Sequence, residues 1–184
     1  MFGLPLHPLV VHAVVVLVPA AVIGSVLVAV WPRVRSRWGW PVVVLTALAT
    51  LSIPVATSTG EGLEHNLPRT AAMETHTELG DQLLVFVAPI LVFVAALVVV
   101  DRLRRRTLEQ ATSTARHAGP GTMAAPRIRD GQARVALVVL AVLTVAFAVV
   151  SVVQVVRIGD SGARAAWGSV QYAPQPRRIG SPQD

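Results

Sequence analysis

Along the chain, long apolar runs alternate with polar stretches that are rich in arginine in some places and in acid in others. The runs cover Leu9 to Trp31, Pro41 to about Thr57, Leu83 to Val100 and Val135 to Val156, and none contains Asp, Glu, Arg or Lys. Each is about 17–23 residues, the length a helix rising 1.5 Å per residue needs to cross roughly 30 Å of hydrocarbon. Valine favours strands in water, but in lipid only helices or closed barrels satisfy the backbone. Barrel strands would appear as short alternating segments, and no such segments occur. The pattern therefore predicts an all-α polytopic membrane protein, a four-helix transmembrane bundle spanning residues 1–168. A basic loop at 102–134 and a Pro-, Gln- and Arg-rich tail at 169–184 complete the expected layout, the tail being disordered by composition.

Charge adds an orientation. The first polar stretch carries Arg33, Arg35 and Arg37. The third carries eight arginines, from Arg102 to Arg134, against Asp101, Glu109 and Asp130. The second holds Glu61, Glu64, Glu74, Glu78 and Asp81 against Arg69. By the positive-inside rule, the first and third stretches face the cytoplasm, and both termini lie outside a bacterial inner membrane. Trp31, Trp38 and Trp40 sit at the inner boundary, where interfacial aromatics anchor. The N-terminus lacks a basic n-region and its apolar run is too long for a cleavable leader, so it reads as an uncleaved anchor.

Composition agrees with this reading and removes some chemistry. Hydrophobic residues make up 53% of the 184 and charged residues only 14%, with a mean hydropathy of +0.61. The net charge of +6 comes from arginines flanking apolar runs, with no aromatic stacking platform or nucleic-acid motif, so nucleic-acid binding is excluded. The absence of cysteine removes disulfides, thiolate metal sites and c-type haem attachment. Serines without a base-and-orienter arrangement argue against hydrolysis. Ala21, Ser25 and Ala29 form a small-residue stripe suited to close helix contact. Pro19, Pro54 and Pro89 place a proline inside each of the first three spans, where kinks are expected. No residue pattern repeats well enough between spans one–two and three–four to define two copies.

The candidate chemistry is histidine. His7, His12, His65 and His76 all fall on the outer side. Pro8 suits a first helical turn, which places His7 just before the helix and His12 one turn inside. A helix three extended outward to about Pro68 aligns Met73, His76, Gly80, Leu83 and Val87 on one face. His12 and His76 could then face each other across the bundle as axial ligands of a b-type haem, with His7 or His65 as alternates. Glu61, Glu64 and His65 offer a second option, a non-haem metal set. Thr57, Ser58 and Thr59 could donate to the histidines or simply bond their own helix. The bland alternatives are a helix cap for His7, a structural hydrogen bond for His12 and solvated loop acids for the glutamates.

Leu6-His7-Pro8-Leu9-Val10-Val11-His12 resembles the opening His-Pro-x-x-x-His of a bacterial membrane family called domain of unknown function 2231. Thr59-Gly60, His76 and the glycine-rich Gly159–Ala163 match further features of that family, although Ala13-Val14 replaces its usual Phe-Pro. The resemblance implies a four-span membrane fold without a defined activity, and some relatives joined to cytochrome-like domains lean towards redox work. The expected function is haem-linked electron transfer or redox sensing. The rival expectation is a non-enzymatic accessory or assembly protein that binds a membrane partner or its own copy. Neither calls for an enzyme.

Overall fold

The computed structural model describes residues 6–64, 70–117 and 126–168. They form α1 (Leu6–Val30), α2 (Pro32–Glu64), α3 (Ala71–His117) and α4 (Pro126–Trp167). All four helices are long and apolar enough to cross a membrane, as the apolar runs predict. The helices outrun those runs, however. α2 has 33 residues, roughly 50 Å of helix, and α3 has 47, roughly 70 Å. The stretch expected as a linker is helical through His117 and again from Pro126. Its Ala, Thr, Gln and Glu residues are compatible with helix, and composition could not separate a polar helix from a linker. Residues 118–125 and the tail 169–184 lie outside the described residues.

α1 and α2 are separated by Trp31 alone. Pro32 opens α2, where its missing N–H is least costly, but that leaves the Val28 carbonyl without its helical donor. Arg35 supplies one. Its Nε donates to the Val28 carbonyl at 2.9 Å and a terminal nitrogen donates to that of Ala29 at 2.6 Å. At the start of α3, the Thr70 hydroxyl accepts from the Met73 N–H at 3.2 Å, an N-cap.

α1 packs on α2 and α3 on α4. α2 also packs on α3 and α1 on α4, and α1 and α3 touch across the middle, whereas among the described residues α2 and α4 do not meet. One apolar cluster, with Val18, Ile53, Val87 and Ile90, fills the half nearer the histidines. A second, with Val28, Val42, Val94 and Leu97, fills the other half. Between them along α1 and α2, Ser25 and Thr46 share a buried hydrogen bond of 3.2 Å. The Ala21–Ser25–Ala29 stripe is fully buried, and a Cβ on Gly24 would stand 3.2 Å from Val42. These contacts let helices approach closely where lipid offers no hydrophobic drive. The outward faces carry exposed residues such as Val16, Ile23, Val92 and Val142.

The two helical hairpins match in register. Counted from His7, six of the seven buried α1 positions between Val14 and Ala29 are Val14, Val18, Ala21, Ser25, Val28 and Ala29, the seventh being Val22, whose α3 counterpart Leu91 is half-buried. Counted from His76 at the same spacings, the buried α3 positions are Leu83, Val87, Ile90, Val94, Leu97 and Val98. Back from Gly60 on α2, Ala49, Thr46, Val42 and Arg35 are buried. Back from Gly162 on α4, Ser151, Ala148, Thr144 and Leu137 are their counterparts. Parallel repeats of this kind are a recurrent plan in membrane proteins, with binding sites at the repeat interface.

Candidate functional site

The two ends of the bundle carry different chemistry. At the arginine end, Asp101 is buried between Arg35 (3.8 Å) and Arg105 (2.7 Å). Asp130 bridges Arg104 (2.6 Å) and Arg134 (2.9 Å). The Arg104 hydrogen bond holds the Asp130 carboxyl below its usual range. Arg102 lies 5.4 Å from the Trp40 ring centre, a cation–π contact.

The histidine end holds the candidate site. His7 sits in the first turn of α1 and leans on α2. Its Nδ1 lies 3.1 Å from the Ala56 carbonyl oxygen and 3.3 Å from Thr59 Oγ1. His76 leans in the same way on α4, with Nδ1 3.2 Å from Ser161 Oγ and the Ile158 carbonyl also within its reach. Each hydroxyl gives its own hydrogen to the backbone three residues earlier: Thr59 to Ala56 and Ser161 to Ile158, both at 2.9 Å. The lone pairs of each hydroxyl and carbonyl therefore face an imidazole that has to donate. With Nδ1 protonated, Nε2 of a neutral ring carries the free lone pair.

Glycine makes both approaches possible. A Cβ on Gly60 would stand 3.0 Å from His7 Cε1, and a Cβ on Gly162 would stand 3.0 Å from His76 Cε1. Any larger residue would push the ring off the helix backbone. Next to His76, Gln154 donates to the Leu79 carbonyl at 3.0 Å, which ties α4 to α3. Gly80 faces open space, with nothing within 4 Å of where its Cβ would lie.

His76 lies outward of Leu83, beyond the apolar run of α3. Burial holds its imidazole below the ordinary histidine range, the Ile158 carbonyl opposes that shift, and the charge of His7 adds to it. Met73, His76 and Gly80 are half-buried and Leu83 and Val87 buried, the shared face expected from their spacing.

The residues singled out in the sequence thus separate. His7 and His76 occupy equivalent places. His12 is exposed, on the side of α1 that carries Leu9, Val15 and Val16, so His7 rather than His12 is the counterpart of His76. Glu61 is exposed at the end of α2. The Glu64 side chain and His65 lie outside the described residues. Among the described residues, no three His, Asp or Glu side chains gather as a metal cluster would require. Ser161 and Gly162 entered the sequence reading only within the glycine-rich Gly159–Ala163 segment of the family resemblance, with no role at the site, and Gln154 did not enter it. The available signal was a hydroxyl–glycine dipeptide, Thr59-Gly60 and Ser161-Gly162, at the same place after spans two and four.

The family described as predicted membrane protein, DUF2231, matches residues 3–172. No curated protein and no solved structure matches the chain.

Proposed function

Since the chain belongs to the DUF2231 family of predicted membrane proteins, we propose that it is a membrane haem protein, holding a b-type haem between His7 and His76 for electron transfer or redox sensing. One observation carries this reading: two imidazoles on adjoining helices are tethered in the same way through Nδ1, so that each has Nε2 to offer. Haem iron takes such axial pairs, and helix bundles build cofactor sites from facing side chains. The arginines grouped at the other end support a cytoplasmic placement of that end, with the histidine end outside.

The test is the absorbance spectrum of protein purified in detergent after haem-replete expression, with elemental analysis of the same sample. A Soret band with sharp reduced α and β bands is expected. It should be lost in His7→Ala and in His76→Ala and kept in His12→Ala. A haem-free protein under these conditions overturns the reading. A stoichiometric metal without haem would move the site to a non-haem ion.

A further inference from the structure

The equivalence of the two hairpins goes deeper than shared burial, because both repeat one local device at the hydroxyl and the glycine, to which the first hairpin adds a bond from His7 Nδ1 to the Ala56 carbonyl. In each hairpin the first helix brings a histidine against the second. There a glycine leaves the backbone bare, and the preceding hydroxyl residue bonds the carbonyl three residues back. The imidazole meets that hydroxyl through Nδ1, at 3.3 Å in one hairpin and 3.2 Å in the other. The glycine distances are as closely matched: 3.0 Å to Cε1 in both, with Nδ1 at 3.3 and 3.2 Å and Nε2 at 3.7 Å in both. The sequences around the two devices differ, Thr57-Ser58-Thr59-Gly60 against Gly159-Asp160-Ser161-Gly162, yet the contact geometry is kept.

A carbonyl oxygen can only accept, and a hydroxyl that has given away its hydrogen can only accept. The ring facing both must carry its proton on Nδ1. We propose that Thr59-Gly60 and Ser161-Gly162 are matched positioning elements that fix His7 and His76 in the Nδ1–H tautomer, making Nε2 of each the nitrogen presented to whatever the histidine end binds. This rests on reading that end as a binding site, but the tautomer itself needs no ligand. Partners of this kind orient ligating histidines, and their removal typically costs about 10–100-fold in affinity.

The experiment uses the full chain, without haem, labelled with 15N-histidine and held in lipid nanodiscs at pH 8. Nitrogen chemical shifts then report which ring nitrogen is protonated, with His7→Ala and His76→Ala assigning the signals. A single Nδ1–H form is expected for both residues. Thr59→Val should broaden the tautomer population of His7 alone, and Ser161→Ala that of His76 alone. The untouched histidine of the same molecule reports that the bundle is folded. Thr59→Ser and Ser161→Thr should restore the original state. In haem-loaded protein, Thr59→Val and Ser161→Ala should each weaken haem binding about tenfold, in the range such partners contribute.

An Nε2–H form at either wild-type ring overturns the proposal. So do Val and Ala variants that leave tautomer and affinity unchanged. Both rings in the Nδ1–H form, with the expected response to substitution but no haem uptake, would support this inference while the haem reading fails. Haem uptake with an unlocked tautomer would be the reverse.

Discussion

The two ends of this bundle use their polar side chains in opposite ways. At the arginine end the buried groups are consumed by one another: Arg35 takes the Val28 and Ala29 carbonyls, and Asp101 takes Arg35 and Arg105. At the histidine end, His7 and His76 are each held through Nδ1, and Nε2 remains. The first arrangement ties α1, α2 and α3 together; the second positions a nitrogen. A group that is fully satisfied inside the fold contributes to holding it, whereas one held by half its capacity leaves the other half open to a ligand or to solvent.

That contrast can be broken at its strongest point first. Asp101→Ala leaves the buried Arg35 without its counter-charge, which should cost about 3 kcal/mol or more. Thermal unfolding in detergent should show the loss, while the histidine tautomers of the surviving folded protein stay unchanged. A change at the histidines would mean that the two ends are coupled. Next, Gly162→Ala inserts a methyl group 3.0 Å from His76 Cε1. It should weaken haem binding at least tenfold, about 1.4 kcal/mol, with little change in unfolding temperature, as read by haem titration and a melt on the same sample. Equal losses in both would make Gly162 a packing residue.

The mid-bundle sharpens the contrast further. Ser25→Ala removes the bond to Thr46 and should cost about 1 kcal/mol. Ser151→Ala should cost nothing or stabilise, because the buried Ser151 hydroxyl has no partner among the described residues and its counterpart on α2 is already Ala49. Comparative melts of the two variants decide this, and a large loss from Ser151→Ala would show that its hydroxyl is used.

The smallest effect concerns pH. Asp130 is held below its usual range chiefly by the Arg104 hydrogen bond. Its contribution is therefore present above the unfolded carboxylate value and is lost as pH falls through the lower folded one. Arg104→Gln should lower stability slightly at neutral pH, leave it unchanged at the acid end where the contribution is already lost, and so flatten the acid limb of a stability-against-pH curve. An unaltered acid limb would mean that the Asp130 bridge contributes nothing.

The fold was legible because its signal is long and redundant: four charge-free runs of bilayer length admit few architectures. Helix ends were less so. The stretch from Thr107 to His117 has no apolar periodicity, and a polar helix cannot be told from a linker without the α4 start it adjoins. At the site, the spacing of His76 with Gly80, Leu83 and Val87 correctly gave its inward face. The same logic could not rank His7 against His12, because both lie in the first turns of α1 and only the position of α2 decides which one leans on it. The role of Ser161 and Gly162 was hidden for another reason. Their role depends on a contact with His76, far earlier in the chain, and the two hairpins keep that contact while sharing almost no residues.

The one-residue reversal at Trp31 bears on how the molecule is built. Chains are made from the N-terminus, so α1 and α2 exist before Asp101 has been synthesised. With a single residue between them they enter the bilayer close together, and the Arg35 bonds to the end of α1 can form before α3 exists. In that interval the guanidinium has carbonyl partners but no counter-ion. The docking of α3 brings the missing negative charge, so the second hairpin completes the first, and an early-arrested chain should be the least stable stage of assembly.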